Sequence, residues 1–280
     1  MPRLHVIPVV LLLLVACASA PTPAPLPALA PISHDPQQDL GLLWVKHAAE
    51  YKAIATQVYR SAEAALPGYI NDTSWSAMPG QTGAENLPPA VILDVDETVV
   101  SNVDFQLTFE RPFANHKLDE WSSNYESLPI TGVKSFVDAA RTQGVTVFFV
   151  TNRPCEFIEG NNDPCPQKGT TIDDIIEVGI AVEPEYVMLS GERPDWDREK
   201  LVRRELIAGT HRVIMLIGDD YGDFVPCARK KVIAPCTAPA TRKSRATALQ
   251  TYDKYWGAGW YILPNPMHGS WTSFISGDGG

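Results

Sequence analysis

The stretch Val91-Ile92-Leu93-Asp94-Val95-Asp96-Glu97-Thr98-Val99-Val100 decides the fold. Three apolar residues run straight into two carboxylates spaced i, i+2, and Pro88-Pro89 stands just ahead as a breaker. A short apolar run bounded in this way reads as a buried strand. An uncompensated carboxylate is costly to bury, so Asp94 and Asp96 belong at the strand's end rather than in a core. In an open α/β sheet that end is where ligands bind. The pair therefore reads as chemistry. The competing readings are a turn with solvated carboxylates and a calcium loop. An EF-hand loop needs Gly at its sixth position, and counting from Asp94 that position is Val99.

Outward from this strand the chain alternates. Upstream, apolar residues at helical spacing predict a helix from Leu40 to Leu66, closed by Pro67-Gly68. Downstream, residues 101–131 carry Phe105, Phe109, Phe113, Trp121 and Tyr125, interrupted by Pro112 and Pro129, and read as a small inserted cap. A helix near Thr131 to Thr142 leads to the β-branched run Val145 to Val150, a buried strand that ends in Thr151-Asn152-Arg153. A helix near Thr171 to Val178, a strand Tyr186 to Leu189, a charged helix about Arg198 to Ile207 and a strand Val213 to Ile217 follow. The last strand ends in Gly218-Asp219-Asp220-Tyr221-Gly222-Asp223. Alternating strands and helices imply a Rossmann-like parallel sheet, helices on both faces, joined by right-handed crossovers. Asp94, Thr151 and Asp219 then lie past the C-terminal ends of separate strands. If those strands are neighbours, the three groups meet at one edge.

The composition of the 280 residues, 45% hydrophobic and 20% charged, is that of an ordinary globular protein. A net charge of −10 gives no support for nucleic-acid binding, which favours a basic patch. Arg3 and the apolar run Val6 to Ala16, too short to span a membrane, read as a secretory signal. Two cleavage readings compete. Ala18-Ser19-Ala20 resembles an ordinary cleavage site; Leu14-Val15-Ala16-Cys17 resembles a bacterial lipobox and is preferred. On that reading residues 1–17 are a lipoprotein signal ending at a lipidated Cys17, residues 18–38 a Pro-rich tether, and residues 39–280 the folded domain. The expected place is the bacterial outer membrane or the periplasm. Four cysteines then remain, and an even number in an exported chain suggests disulfides. Local pairing is expected, Cys155 with Cys165 and Cys227 with Cys236, each stabilising by roughly 2–3 kcal/mol. Free buried thiols and a four-cysteine zinc site are the alternatives, the latter disfavoured by the spacing.

Adjacent carboxylates repel, and a divalent cation is one way to keep both ionised. Magnesium takes oxygen ligands from one or two carboxylates, and Asp94 and Asp219 are the natural ones. A carboxylate can attack phosphorus, while a second, Asp96, protonates the leaving oxygen and then activates water. Phosphoryl transfer also needs donors and positive charge around the phosphoryl oxygens. Thr151 and its neighbours can donate. Lys200 is the candidate cation, with Arg153, Arg203 and Arg204 as nearby options.

Asp94-Val95-Asp96-Glu97-Thr98, Thr151-Asn152-Arg153, Lys200 with Arg203-Arg204, and Gly218 to Phe224 resemble the four motifs of the haloacid dehalogenase (HAD) superfamily. The form with Glu97, where most of the superfamily has Gly, is similar to the bacterial class C acid phosphatases. So are Asn102, Trp121, Gly169 to Asp174, and Pro264-Asn265-Pro266 through Gly269-Ser270-Trp271. The resemblance covers roughly residues 38–275. It implies Asp94 as nucleophile, Asp96 as acid and base, and Thr151, Asn152 and Lys200 as phosphate-binding. It implies magnesium on Asp94, the Asp96 backbone carbonyl and Asp219, with Asp223 supporting the site. It implies lipid anchoring and phosphomonoester substrates, often nucleoside 5′-monophosphates, whose bases stack on aromatics; Trp121 and His268 are the pocket candidates. His268 stands where the family usually has Tyr, which leaves nucleotide preference open. The rival functions are a phosphotransferase on the same scaffold and a non-catalytic ligand-binding surface lipoprotein. The second has no need of Asp94, Asp96, Thr151, Lys200 and Asp219 together.

Overall fold

The computed structural model describes residues 36–109 and 113–275; the signal segment, Cys17 and the tether up to residue 35 lie outside the described residues. Two helices open the domain, α1 (Pro36–His47) and α2 (Ala49–Asn71). Helix α1 thus starts inside the expected tether, with Pro36 in the first turn, where its missing N–H costs nothing. The single helix expected from Leu40 to Leu66 is broken at Ala48, whose backbone is extended. Nor does Pro67-Gly68 end α2. Pro67 is exposed, so water can take the carbonyl that its absent N–H leaves open. The end is fixed by Arg212, whose guanidinium donates to the carbonyls of Tyr69, Ile70 and Asp72 at 2.8–2.9 Å.

The alternation then runs β1 (Pro89–Leu93), a two-residue β2 (Val100–Ser101), α3 (Val103–Thr108), α4 (Asn115–Ser122), β3 (Leu128–Pro129), α5 (Val133–Thr142), β4 (Thr146–Pro154), α6 (Pro166–Glu177), β5 (Val187–Ser190), α7 (Leu201–Ala208), β6 (Arg212–Gly218), α8 (Arg242–Thr251) and β7 (Trp260–Ile262). Five strands form one sheet in the order β5-β4-β1-β6-β7, every neighbouring pair parallel. The chain builds outward from β1 through β4 to β5, then returns to lay β6 on the other side of β1. The topological switch therefore falls between β1 and β6, where ligands bind in sheets of this kind. The cap comprises α3, α4 and the antiparallel pair β2-β3.

Side chains alternate across each strand and so build two cores. Val91, Leu93, Val147 and Phe149 pack with Tyr59 and Leu66 of α2 and Phe136 and Val137 of α5. Ala90, Ile92, Phe148 and Val150 face the other way, against Ile207 of α7, Phe224 and Trp260. Each such side chain fully buried contributes about 1.5–3 kcal/mol relative to exposure. Helices on both faces of a parallel sheet are as expected. Unforeseen were α8, which has no buried residue and so no apolar stripe to read, and β7, only three residues long.

Candidate active site

Asp94 follows β1 directly, and its N–H donates to Ile217 of β6 at 2.9 Å, so it continues the ladder past the strand's end. The chain then turns back sharply. The amides of Thr98, Val99 and Val100 all donate to the Val95 carbonyl, and Glu97 takes φ +57°. Positive φ suits Gly, which explains why Glu97 is unusual there. Asp219 follows β6, and its carboxylate accepts from Asn265 at 2.7 Å and Thr98 at 3.4 Å. Asp223 closes a short 3-10 turn. Its carboxylate accepts the Asp220 N–H at 2.9 Å and lies against Gly218, where any side chain would collide with it. Oxygens of Asp94, Asp219 and Asp223 come within 4.8 Å of one another. Lys200, at the entry to α7, is buried with its ammonium bonded to Asp94 and, at 2.7 Å, to Asp223.

Asp96 turns away from this cluster. Its carboxylate is gripped by Arg153 through Nε at 3.0 and 3.2 Å and Nη2 at 2.8 Å, and accepts from Asn102 at 2.8 Å. The other arm of Arg153 reaches Asp174 of α6. Thr151, fully buried in β4, bonds Asp96 weakly at 3.4 Å and accepts the Arg153 N–H at 3.0 Å. Asn152 accepts from Arg203 at 2.9 Å. Arg203 also holds the Thr151 carbonyl, and Arg204 the Asp223 carbonyl. These two arginines therefore frame the site from behind, whereas Arg153 is ion-paired within it.

The charges explain the titration. Burial, with the nearby Asp223 and Asp96 charges, pushes the Asp94 carboxyl up to about 7 against the pull of Lys200. Burial and the charges of Asp94 and Asp223 lift Asp219 well above the usual carboxylate range. Burial works against Lys200, yet Asp223 and Asp94 outweigh it and raise its pKa. Asp96 goes the other way: burial would raise it, but Arg153 and Asn102 hold it below its ordinary value. Two carboxyls two residues apart are thus driven in opposite directions, and a cation beside Asp94 would pull its carboxyl back toward the ionised form that a nucleophile needs. Three crowded carboxylates offering only oxygen fit a hard divalent cation, whose charge would relieve the repulsion.

One cavity of about 210 Å³ joins these groups, its floor formed by Asp94, Asp96, Asn152, Lys200, Asp219 and Asp223. Of the two pocket candidates only His268 lines it. Trp121 corrects the expectation. It stacks on Tyr125 at 5.4 Å and lines a separate groove on the cap, because α4 turns Leu118 and Asp119 toward the cavity instead. The His268 Nε2 pairs with buried Glu97 at 3.0 Å, and that contact raises the imidazole pKa against the effect of burial. Asp174 and Asp119 were not foreseen as site residues; Asp174 lay in a stretch already noted as family-like, while a helical acid such as Asp119 gives no signal. Both expected disulfides are present, Cys155–Cys165 and Cys227–Cys236. The second is tied to the site by Glu199, which accepts the Cys227 N–H at 2.9 Å.

The family model for the HAD superfamily, subfamily IIIB (acid phosphatase), matches residues 29–271, and the chain belongs to this family. It is accordingly a phosphomonoesterase, a hydrolase of small phosphate esters. The class C acid phosphatase from Bacillus anthracis is similar in structure, with a TM-score of 0.64 and 26% identity over 84% of this chain and 86% of that one. The structure of that phosphatase with tungstate bound gives 0.66 and 26%, over 86% and 92%.

Proposed function

We propose that the chain is a magnesium-dependent acid phosphatase that hydrolyses phosphomonoesters, nucleoside 5′-monophosphates among the candidates, through an aspartyl-phosphate on Asp94. The observation that carries this reading is the convergence of Asp94, Asp219 and Asp223 around the Lys200 ammonium at the switch point of the sheet. Tungstate, bound by the similar Bacillus anthracis enzyme, is like phosphate a tetrahedral oxyanion, which supports an oxyanion site here.

In the proposed sequence an Asp94 oxygen attacks phosphorus and the bond to the leaving oxygen breaks. Asp96 gives that oxygen its proton, so the alcohol departs neutral. Asp96 then takes a proton from water, which attacks the aspartyl-phosphate, releases orthophosphate and restores Asp94. Lys200 and the Thr151–Asn152 segment hold the phosphoryl oxygens. Arg153 keeps Asp96 oriented and acidic. A magnesium ion, held by the carboxylates of Asp94 and Asp219 and the Asp96 backbone carbonyl with Asp223 in support, would neutralise charge on the phosphoryl group.

Hydrolysis of a chromogenic phosphomonoester is expected to stop on chelation and to return with added magnesium. Activity unchanged by chelation sinks the metal assignment. For location, we infer a lipid anchor at Cys17 on an exported chain, supported by the apolar run and lipobox-like residues before it. Mass spectrometry of the mature N-terminus is expected to find acylated Cys17; an unmodified Ala or Pro start refutes the anchor.

A further inference from the structure

We infer that the cleft selects phosphomonoesters whose leaving group bears a second anion, a carboxylate or another phosphate. This rests on the phosphatase reading and concerns the half of the substrate that the floor of the cavity does not touch. The floor's cations are already committed: Lys200 to Asp94 and Asp223, Arg153 to Asp96 and Asp174. The rim differs. Arg198, from the loop ahead of α7, is exposed and lines the cavity, and no ion pair holds its guanidinium among the described residues. Arg229, from the loop closed by Cys227–Cys236, lines the same rim and pairs with Asp220 at 3.5 Å.

The rim's acids already have partners: Asp220 is paired with Arg229, which helps to hold its carboxyl below the usual range against burial. The Asp220 carboxylate accepts the Gly222 N–H at 2.8 Å and bonds the Ser270 N–H, so it serves its own turn. Asp119, on the cap side, faces Arg153; burial, with the Glu156, Asp96 and Asp174 charges, raises its carboxyl pKa against the pull of that guanidinium. For stacking on a base the cleft offers exposed Phe113 and the face of the His268 ring. Trp121 lies in another groove, and the edge of the His268 ring is bound to Glu97. An arginine without a partner at the mouth of a small cavity is suited to a carboxylate or phosphate, which its planar fork can bind by two hydrogen bonds.

A matched pair of substrates tests this: ethyl phosphate and phosphoglycolate, nearly the same size, differing by a carboxylate. The wild-type enzyme with magnesium is expected to favour phosphoglycolate in kcat/KM by roughly tenfold, the size of one hydrogen bond to a charged group. Propane-1,3-diol bisphosphate against propyl phosphate is expected to show the same preference. Arg198→Gln is expected to shrink both ratios several-fold, chiefly through KM, and Arg198→Lys to restore part of them. Arg229→Gln is expected to do likewise, and because it could disturb the Asp220 turn, the surface variant Arg198→Gln stands as the independent arm. A wild-type preference for the neutral esters, or for a cationic leaving group such as phosphoethanolamine, overturns the inference. So do ratios unmoved in both variants. Failure to hydrolyse any phosphomonoester would instead remove the phosphatase reading itself.

Discussion

Asp94→Asn is expected to lower kcat toward a chromogenic phosphomonoester by about 10³-fold or more, since loss of a nucleophile removes several kcal/mol of transition-state stabilisation. The loss should come without unfolding. Asn keeps a carbonyl oxygen for Lys200, and Lys200 keeps Asp223. Stability has a definite sign. The Asp94 carboxyl is raised to about 7 in the fold, above its ordinary value, so its stabilising contribution is present at low pH and is lost as pH rises through 7. Asn does not titrate. Measured without metal at pH 8, the variant's Tm is therefore expected to equal or exceed that of the wild type. A folded variant that still turns over at the wild-type rate would exclude Asp94 as nucleophile.

Arg153→Leu is expected to damage both stability and chemistry. It strips the cationic partner from Asp174, only 2% exposed and left with Ser127, and from Asp96, left with Asn102, at once. Breaking a buried pair from one side costs about 3–5 kcal/mol, a large share of the roughly 5–15 kcal/mol that holds a domain folded. Thermal unfolding of the purified variant measures this. Adding Asp174→Asn should recover part of the loss, because it removes one orphaned charge. The chemistry shifts as well. In the wild type the depressed Asp96 carboxyl contributes stability above its unfolded value and loses it as pH falls through the folded one. Without Arg153 that carboxyl rises, and it holds its proton to higher pH. The descending limb of kcat/KM is therefore expected to move toward neutrality. A pH profile identical to the wild type would rule out Asp96 as the titrating acid, or Arg153 as what tunes it.

The strand ends were legible because an apolar run has little reason to stop at acids unless it is a buried strand reaching a ligand edge. Asp94, Thr151 and Asp219 could be placed on one edge from alternation alone, and Lys200 followed from the charge that a bound phosphate needs. The split between Asp94 and Asp96 could not be read: it depends on Arg153 reaching Asp96 and Asp174 at once, across two elements brought together only by packing. The same holds for Glu97 with His268, 171 residues apart in the chain. Trp121 failed as a pocket residue because the aromatic content of the cap does not say which face of a short helix looks inward. Helix α8, with no fully buried residue, left no periodic trace.

The two disulfides carry a consequence in time as well as in place. One closes the loop just after β4, next to Pro154 at the cavity; the other closes the loop that presents Arg229. Both staples close loops next to cavity-lining residues, and the first also ties the end of β4 to the start of α6, with Cys165 buried in the core. On the proposed route of export, a newly made chain in a reducing cytoplasm would hold the sheet and its acids but an unfastened mouth. The cleft would be completed only beyond the membrane, where thiols oxidise, and the phosphate esters of the cell interior would meet an unfinished enzyme.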